Sequence, residues 1–98
     1  MITDNPDHPD INVPAGPGQP NKAYLVLSEA ERAKGFVRPY RNSYVHVTCG
    51  TVTRMGYALS ETYARNPKFY GATWCCSCGM HLPLSQFKWD ADGQEVGS

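Results

Sequence analysis

Two short stretches constrain this chain more than anything else in it: His46-Val47-Thr48-Cys49-Gly50 and Cys75-Cys76-Ser77-Cys78-Gly79. Each reads as a ligand residue, two spacers, a cysteine and a glycine, and the second copy follows the first by 29 residues. A His-x-x-Cys or Cys-x-x-Cys turn is the right size to set two side chains on one metal ion. Glycine directly after the second ligand permits the positive φ that swings peptide N–H groups toward thiolate sulfur. Two such knuckles supply four ligands, the number a closed structural zinc site requires. The pattern predicts a metal site of His46, Cys49, Cys75 and Cys78, with structural Zn2+ as the cofactor.

The fourth ligand has competitors. His81 lies three residues past Cys78, but three ligands from seven consecutive residues are hard to place on a tetrahedron, so symmetry with Cys75 favours His46. Cys76 ranks behind both, because it stands between two ligands and should point away from the ion. If His46 binds, His81 is a surface residue or one that supports the ligands. His8 has no partner in sight. A redox role for Cys75 and Cys78 would want a βαβ setting, which the pattern lacks.

Length makes the metal reading useful. The chain has 98 residues, and residues 1–21 look unfit for a core, holding five of the eight prolines, three aspartates and few large apolar side chains. They are expected to form an extended or disordered arm, leaving residues 22–98 as one domain. A core that small is marginal without a metal or disulfides. Disulfides are the weaker choice: no signal-peptide pattern follows Met1, and Cys-x-x-Cys in a reducing compartment is more often metal-binding. The expectation is a protein of the cytoplasm or of a virus particle, not secreted. No stretch approaches the roughly 20 apolar residues of a membrane span.

The elements follow from local signals. Ala23 to Leu27 reads as a strand. Ser28, with Glu31 three residues on, is a capping box that should open a short helix from about Glu29 to Lys34, stopped by Gly35. Residues 43–48 alternate and are rich in β-branched and aromatic side chains, which predicts a strand delivering His46 and Cys49. Thr51 and Thr53 are candidate N-caps for a main helix over about 54–65, with Met55, Leu59, Thr62 and Tyr63 at helical spacing. Asn66-Pro67 ends it. Residues 69–74 should be extended, and Phe87 and Trp89 should share one face of a strand. Asp90-Ala91-Asp92-Gly93 is a turn signal with residues 94–96 pairing back. The fold class is α+β: a small zinc-stabilised domain of two knuckles, one main helix and short antiparallel strands.

The run Cys75 to Phe87, with its Cys-x-x-Cys-Gly and Pro83-Leu84-Ser85-Gln86-Phe87, resembles the zinc knuckle of treble-clef and zinc-ribbon modules. That resemblance implies Cys75 and Cys78 as a metal pair and Phe87 as the aromatic beneath it. Residues 44–98 are also similar to small proteins encoded by tailed bacteriophages, through Glu61 to Gly71 and the closing Trp89-Asp90 and Val96-Gly97. This second resemblance implies a phage origin and brings no activity with it.

Three functions follow. A site closed by four ligands points to a non-catalytic module that binds a host or virion protein, or to a minor virion component. Residues 22–68 hold eight basic and three acidic side chains, so Arg38, Arg41, Arg54, Arg65 and Lys68, with Tyr40, Tyr44, Tyr63 and Phe69, could instead form a nucleic-acid face. Against that, the chain's net charge is zero. An enzyme would need an open metal position and a general base, for which Glu61 is the one candidate. The chain is therefore expected not to be an enzyme.

Overall fold

Alternation of apolar and polar residues places the central strand. In the computed structural model, which describes residues 2–97, Ser43–His46 (β3) buries Tyr44 and His46 on one face. Its neighbours are Val52–Arg54 (β4) and Phe87–Trp89 (β7), both antiparallel, in the order β4-β3-β7. The register sets Tyr44 opposite Thr53 on one side and Trp89 on the other, with His46 opposite Phe87. Side chains alternate across a strand, so Tyr44, His46, Thr53, Phe87 and Trp89 all turn inward while Lys88 faces out.

That inner face is the core. Tyr44, Tyr63, Cys75, Phe87, Trp89 and Val96 form one buried cluster, with Met55, Tyr70, Leu82 and Leu84 against it. The rings meet edge to face: Tyr44 with Phe87 at 5.3 Å and 89°, Tyr63 with Trp89 at 5.4 Å and 85°. This orientation suits the ring quadrupoles and adds about 0.5–1.5 kcal/mol per pair beyond area burial. Arg41 closes the outer edge. Its guanidinium lies 4.7 Å from the Trp89 ring centre and donates to Asp92 Oδ2 and Gln94 Oε1, each at 3.0 Å. The predicted return of residues 94–96 is present: Trp89 N donates to Gln94 O at 2.7 Å and Val96 N to Phe87 O at 3.1 Å.

The main helix, Tyr57–Arg65 (α2), begins three residues later than its spacing suggests. Val52, Thr53 and Arg54 pair with β3 instead, because β-branched residues beside a half-buried strand gain more from the sheet than from a helix end. Gly56 is the N-cap and offers no side-chain acceptor, so neither Thr51 nor Thr53 serves. Inside α2, Ser60 and Thr62 are fully buried. Their hydroxyls donate back to the Gly56 and Ala58 carbonyls, at 2.9 and 2.7 Å, and Thr62 Oγ1 also accepts from Leu27 N at 3.2 Å. The short helix Glu29–Arg32 (α1) packs on α2 and is capped as expected, Ser28 Oγ accepting from Glu31 N at 3.2 Å. It ends two residues sooner than predicted.

Ala72–Cys75 (β5) and Met80–Pro83 (β6) form a two-stranded hairpin, with Cys75 opposite Met80. Its turn is the second knuckle. The strand at Met80–Pro83 has no clear pattern of its own; proline is tolerated because it closes the outer end of a strand with one partner.

Residues 2–21 do not stand off as an extended arm. Ile2–Thr3 (β1) lies parallel to Tyr24–Leu25 (β2), Ile11 bridges Ala23, and Pro14 bridges Asn21. Val26 N donates to Thr3 O at 2.8 Å and Lys22 N to Val13 O at 2.7 Å. The prolines and glycines supply turns, and the turns bring backbone groups back onto residues 21–23, so hydrogen bonding orders a segment whose side chains are mostly exposed.

Candidate metal centre

The two knuckles are built alike. After β3, Gly50 sits at φ +72° and its N–H donates to His46 O at 2.7 Å. After β5, Gly79 sits at φ +66° and donates to Cys75 O at 2.9 Å. Cys78 N points at Cys75 Sγ from 3.5 Å, the amide-to-sulfur contact that the glycine was expected to permit. β3 and β5 thus end at the same place with matching turns.

Four ligand atoms meet there. His46, Cys49, Cys75 and Cys78 offer one atom each, all within 4.8 Å of one another. Cys49 Sγ is 3.6 Å from Cys75 Sγ; His46 Nδ1 is 3.1 Å from Cys49 Sγ and 3.5 Å from Cys78 Sγ. Zinc–sulfur and zinc–nitrogen bonds of about 2.3 and 2.0 Å in a tetrahedron give edges of roughly 3.8 Å between sulfurs and roughly 3.5 Å from nitrogen to sulfur. The four residues can therefore hold a metal ion.

The surroundings prepare His46 for that role. Its Nε2–H donates to Gln86 Oε1 at 2.8 Å, which leaves the Nδ1 lone pair facing the sulfurs. The ring lies against Phe87, 4.9 Å between centres, and Phe87 is completely buried. Gln86 was not foreseen. An amide in a short 3-10 turn (Leu84–Gln86) carries no sequence signal, and its use depends on where the turn lands.

The thiols have unequal proton affinities. The Thr51 backbone amide, with the Thr51 hydroxyl and His46, brings Cys49 down to about 6. Cys78 is pushed up to about 11, first by its hydrogen bond with Cys75 and then by burial and the neighbouring sulfurs. Three thiolates side by side repel one another, and a cation among them removes that repulsion. The donor set asks for positive charge at its centre.

No protein-family model, no curated protein and no solved structure matches this chain. The centre therefore rests on its own geometry.

The remaining candidates lie elsewhere. His81 is on β6, outside the cluster, hydrogen-bonded through Nε2 to the Tyr24 hydroxyl at 3.0 Å and with its ring against Trp74. Burial pulls its pKa below the ordinary value. Cys76 turns away toward β4, where Thr53 Oγ1 accepts from its N–H at 3.2 Å and donates to its sulfur at 3.4 Å. His8 Nδ1 accepts from Asp10 N at 3.1 Å. All four cysteines are free of disulfides. Glu61 is held by Arg32 at 2.6 Å and takes no part in the cluster. Of the expected basic and aromatic face, Arg41, Tyr44 and Tyr63 are buried. No described helix is long and apolar enough to cross a membrane.

Proposed function

We propose that this chain is a zinc-stabilised, non-catalytic module that binds another protein, encoded by a tailed bacteriophage and directed at a host or virion component. The observation that carries the reading is the full set of four protein ligands around one point. Three sulfurs and one imidazole nitrogen suit zinc, a borderline-soft ion content with four ligands. With every position filled by protein, no coordination site remains for a water nucleophile. A closed centre works by folding the chain, because metal-binding free energy becomes folding free energy. Function then belongs to the surface. A nucleic-acid face is less well supported, since the burial of Arg41, Tyr44 and Tyr63 removes a third of the residues that would compose it.

The deciding experiment has two arms. Elemental analysis of purified protein should give one zinc per chain. Affinity capture of the tagged chain from infected cells, with proteomics of purified particles, should return a specific protein partner. Cooperatively folded protein without metal would sink the first half; salt-sensitive binding to nucleic acid with no protein partner would sink the second.

A further inference from the structure

Between α2 and the β5–β6 hairpin lies a cleft of about 200 Å³. Aromatic rings form much of its wall, Tyr63 from α2, Tyr44 from β3, Trp74 from β5, and Tyr70, together with Leu59 and Met55. The polar atoms on those walls are largely spent within the protein. Tyr44 donates to Trp74 O and accepts from Thr73 Oγ1, Tyr70 donates to Leu25 O, and Tyr24 pairs with His81. What the cleft offers an occupant is flat apolar surface. The size is that of one aromatic side chain, below the roughly 300–1,000 Å³ of ordinary small-molecule sites.

Charge narrows the choice. Among the described residues no carboxylate lines the cleft. Arg54 is its one permanent cation, exposed on β4, and among the described residues its guanidinium has no ion-pair partner. The rim also continues as exposed aromatic surface. Gly56 leads to Tyr57, which is 71% exposed and 5.7 Å from Tyr40, itself 6.4 Å from Phe36 between ring centres. Glu29 and Glu61 lie with Arg32 on Tyr57's other flank, outside the cleft. A track running on from a one-residue pocket suits a polypeptide better than a free small molecule, and aromatic anchors in such pockets are where binding energy concentrates.

We infer that this cleft receives a tryptophan or phenylalanine side chain of an extended peptide segment in the protein partner, with an acidic residue beside it that pairs with Arg54. The inference rests on the protein-binding reading above and names the partner's chemistry.

The test is selection of a random peptide display library on the zinc-loaded full chain, with two variants as controls. Arg54→Glu reverses an exposed charge, and Leu59→Trp fills the cleft; zinc content and thermal unfolding verify that each is folded. Recovered peptides should share an aromatic residue next to Asp or Glu. A synthetic peptide of that consensus should bind Arg54→Glu at least about tenfold more weakly and lose measurable affinity for Leu59→Trp. Its titration should shift the Trp74 indole N–H resonance. In a simpler series, indole-3-acetate should bind more tightly than indole, and indole more tightly than tryptamine, with Arg54→Gln removing the advantage of the acetate. No consensus, a basic consensus, or equal binding by the variants would overturn the inference. Binding of indole-3-acetate with no peptide recovered would overturn it in favour of a free small molecule. A partner captured from infected cells that binds both variants as well as the parent refutes this cleft while leaving the proposed function standing.

Discussion

Gln86 decides which nitrogen of His46 faces the sulfurs. By accepting from Nε2 at 2.8 Å it fixes the tautomer and the tilt of the ring. Gln86→Leu should weaken zinc affinity about 10–100-fold, as loss of such support does at other sites, read by competition with a chelating dye. The ligands themselves should separate cleanly. Cys78→Ser should lose the metal and the cooperative unfolding transition, while His81→Ala should keep one zinc per chain by elemental analysis. His81 should instead report through pH. Burial favours its neutral form, so its folded-state pKa lies below 6.5. The stability that this neutral form contributes is complete above 6.5 and declines as pH falls through the folded value. Urea midpoints measured against pH, with zinc present, should fall less steeply for His81→Ala than for the parent as pH drops from 6.5 toward the folded value. At this scale the sequence was most legible for the four residues that cluster and could hold a metal ion. Cys49, Cys75, Cys78 and His46 announce themselves by spacing and by the glycine that follows, which are local properties. Gln86, Thr53 and the Tyr24–His81 pair left no trace, because each works only through a neighbour at least 23 residues away.

The elements show where local preference yields to tertiary context. Ser28 caps α1 as its capping box indicates, and Phe87 and Trp89 share a buried face as their spacing indicates. Residues 52–54, which local preference assigns to the approach and first residue of a helix, form a strand because β3 offers a partner. Strand Met80–Pro83 could not be seen at all, since its pairing depends on the knuckle that folds it back onto β5. The knuckles are also where backbone conformation matters most. Gly50→Ala and Gly79→Ala each force an L side chain into the left-handed region, which should cost about 1–2 kcal/mol. A methyl at 50 would meet open space, and one at 79 would touch Gly18 O at 3.4 Å, an ordinary contact. The two losses should therefore be nearly equal, as measured by denaturant unfolding of the zinc-loaded proteins.

At the scale of the whole molecule, the layout follows from a small aromatic core joined to a cluster of four residues that could hold a metal ion. Residues 2–21 depart from the sequence expectation because they pair through the backbone with residues 21–25, which composition does not register. Removing the metal should reach every layer. Structural zinc sites in short chains contribute about 10–16 kcal/mol at neutral pH, against a total stability of about 5–15 kcal/mol for ordinary domains. Stripping the ion with a chelator should abolish the cooperative thermal transition, and restoring zinc should bring it back, followed by circular dichroism. The β5–β6 hairpin links this to recognition. One end carries Cys75 into the knuckle, and Trp74, its immediate neighbour, lines the cleft. If a guest binds only when this hairpin is ordered, it raises the equilibrium affinity of the cluster for zinc, and by reciprocity zinc raises the affinity for the guest by the same factor. On the proposed reading, scarcity of zinc would loosen the chain's grip on a partner before any contact between them had changed.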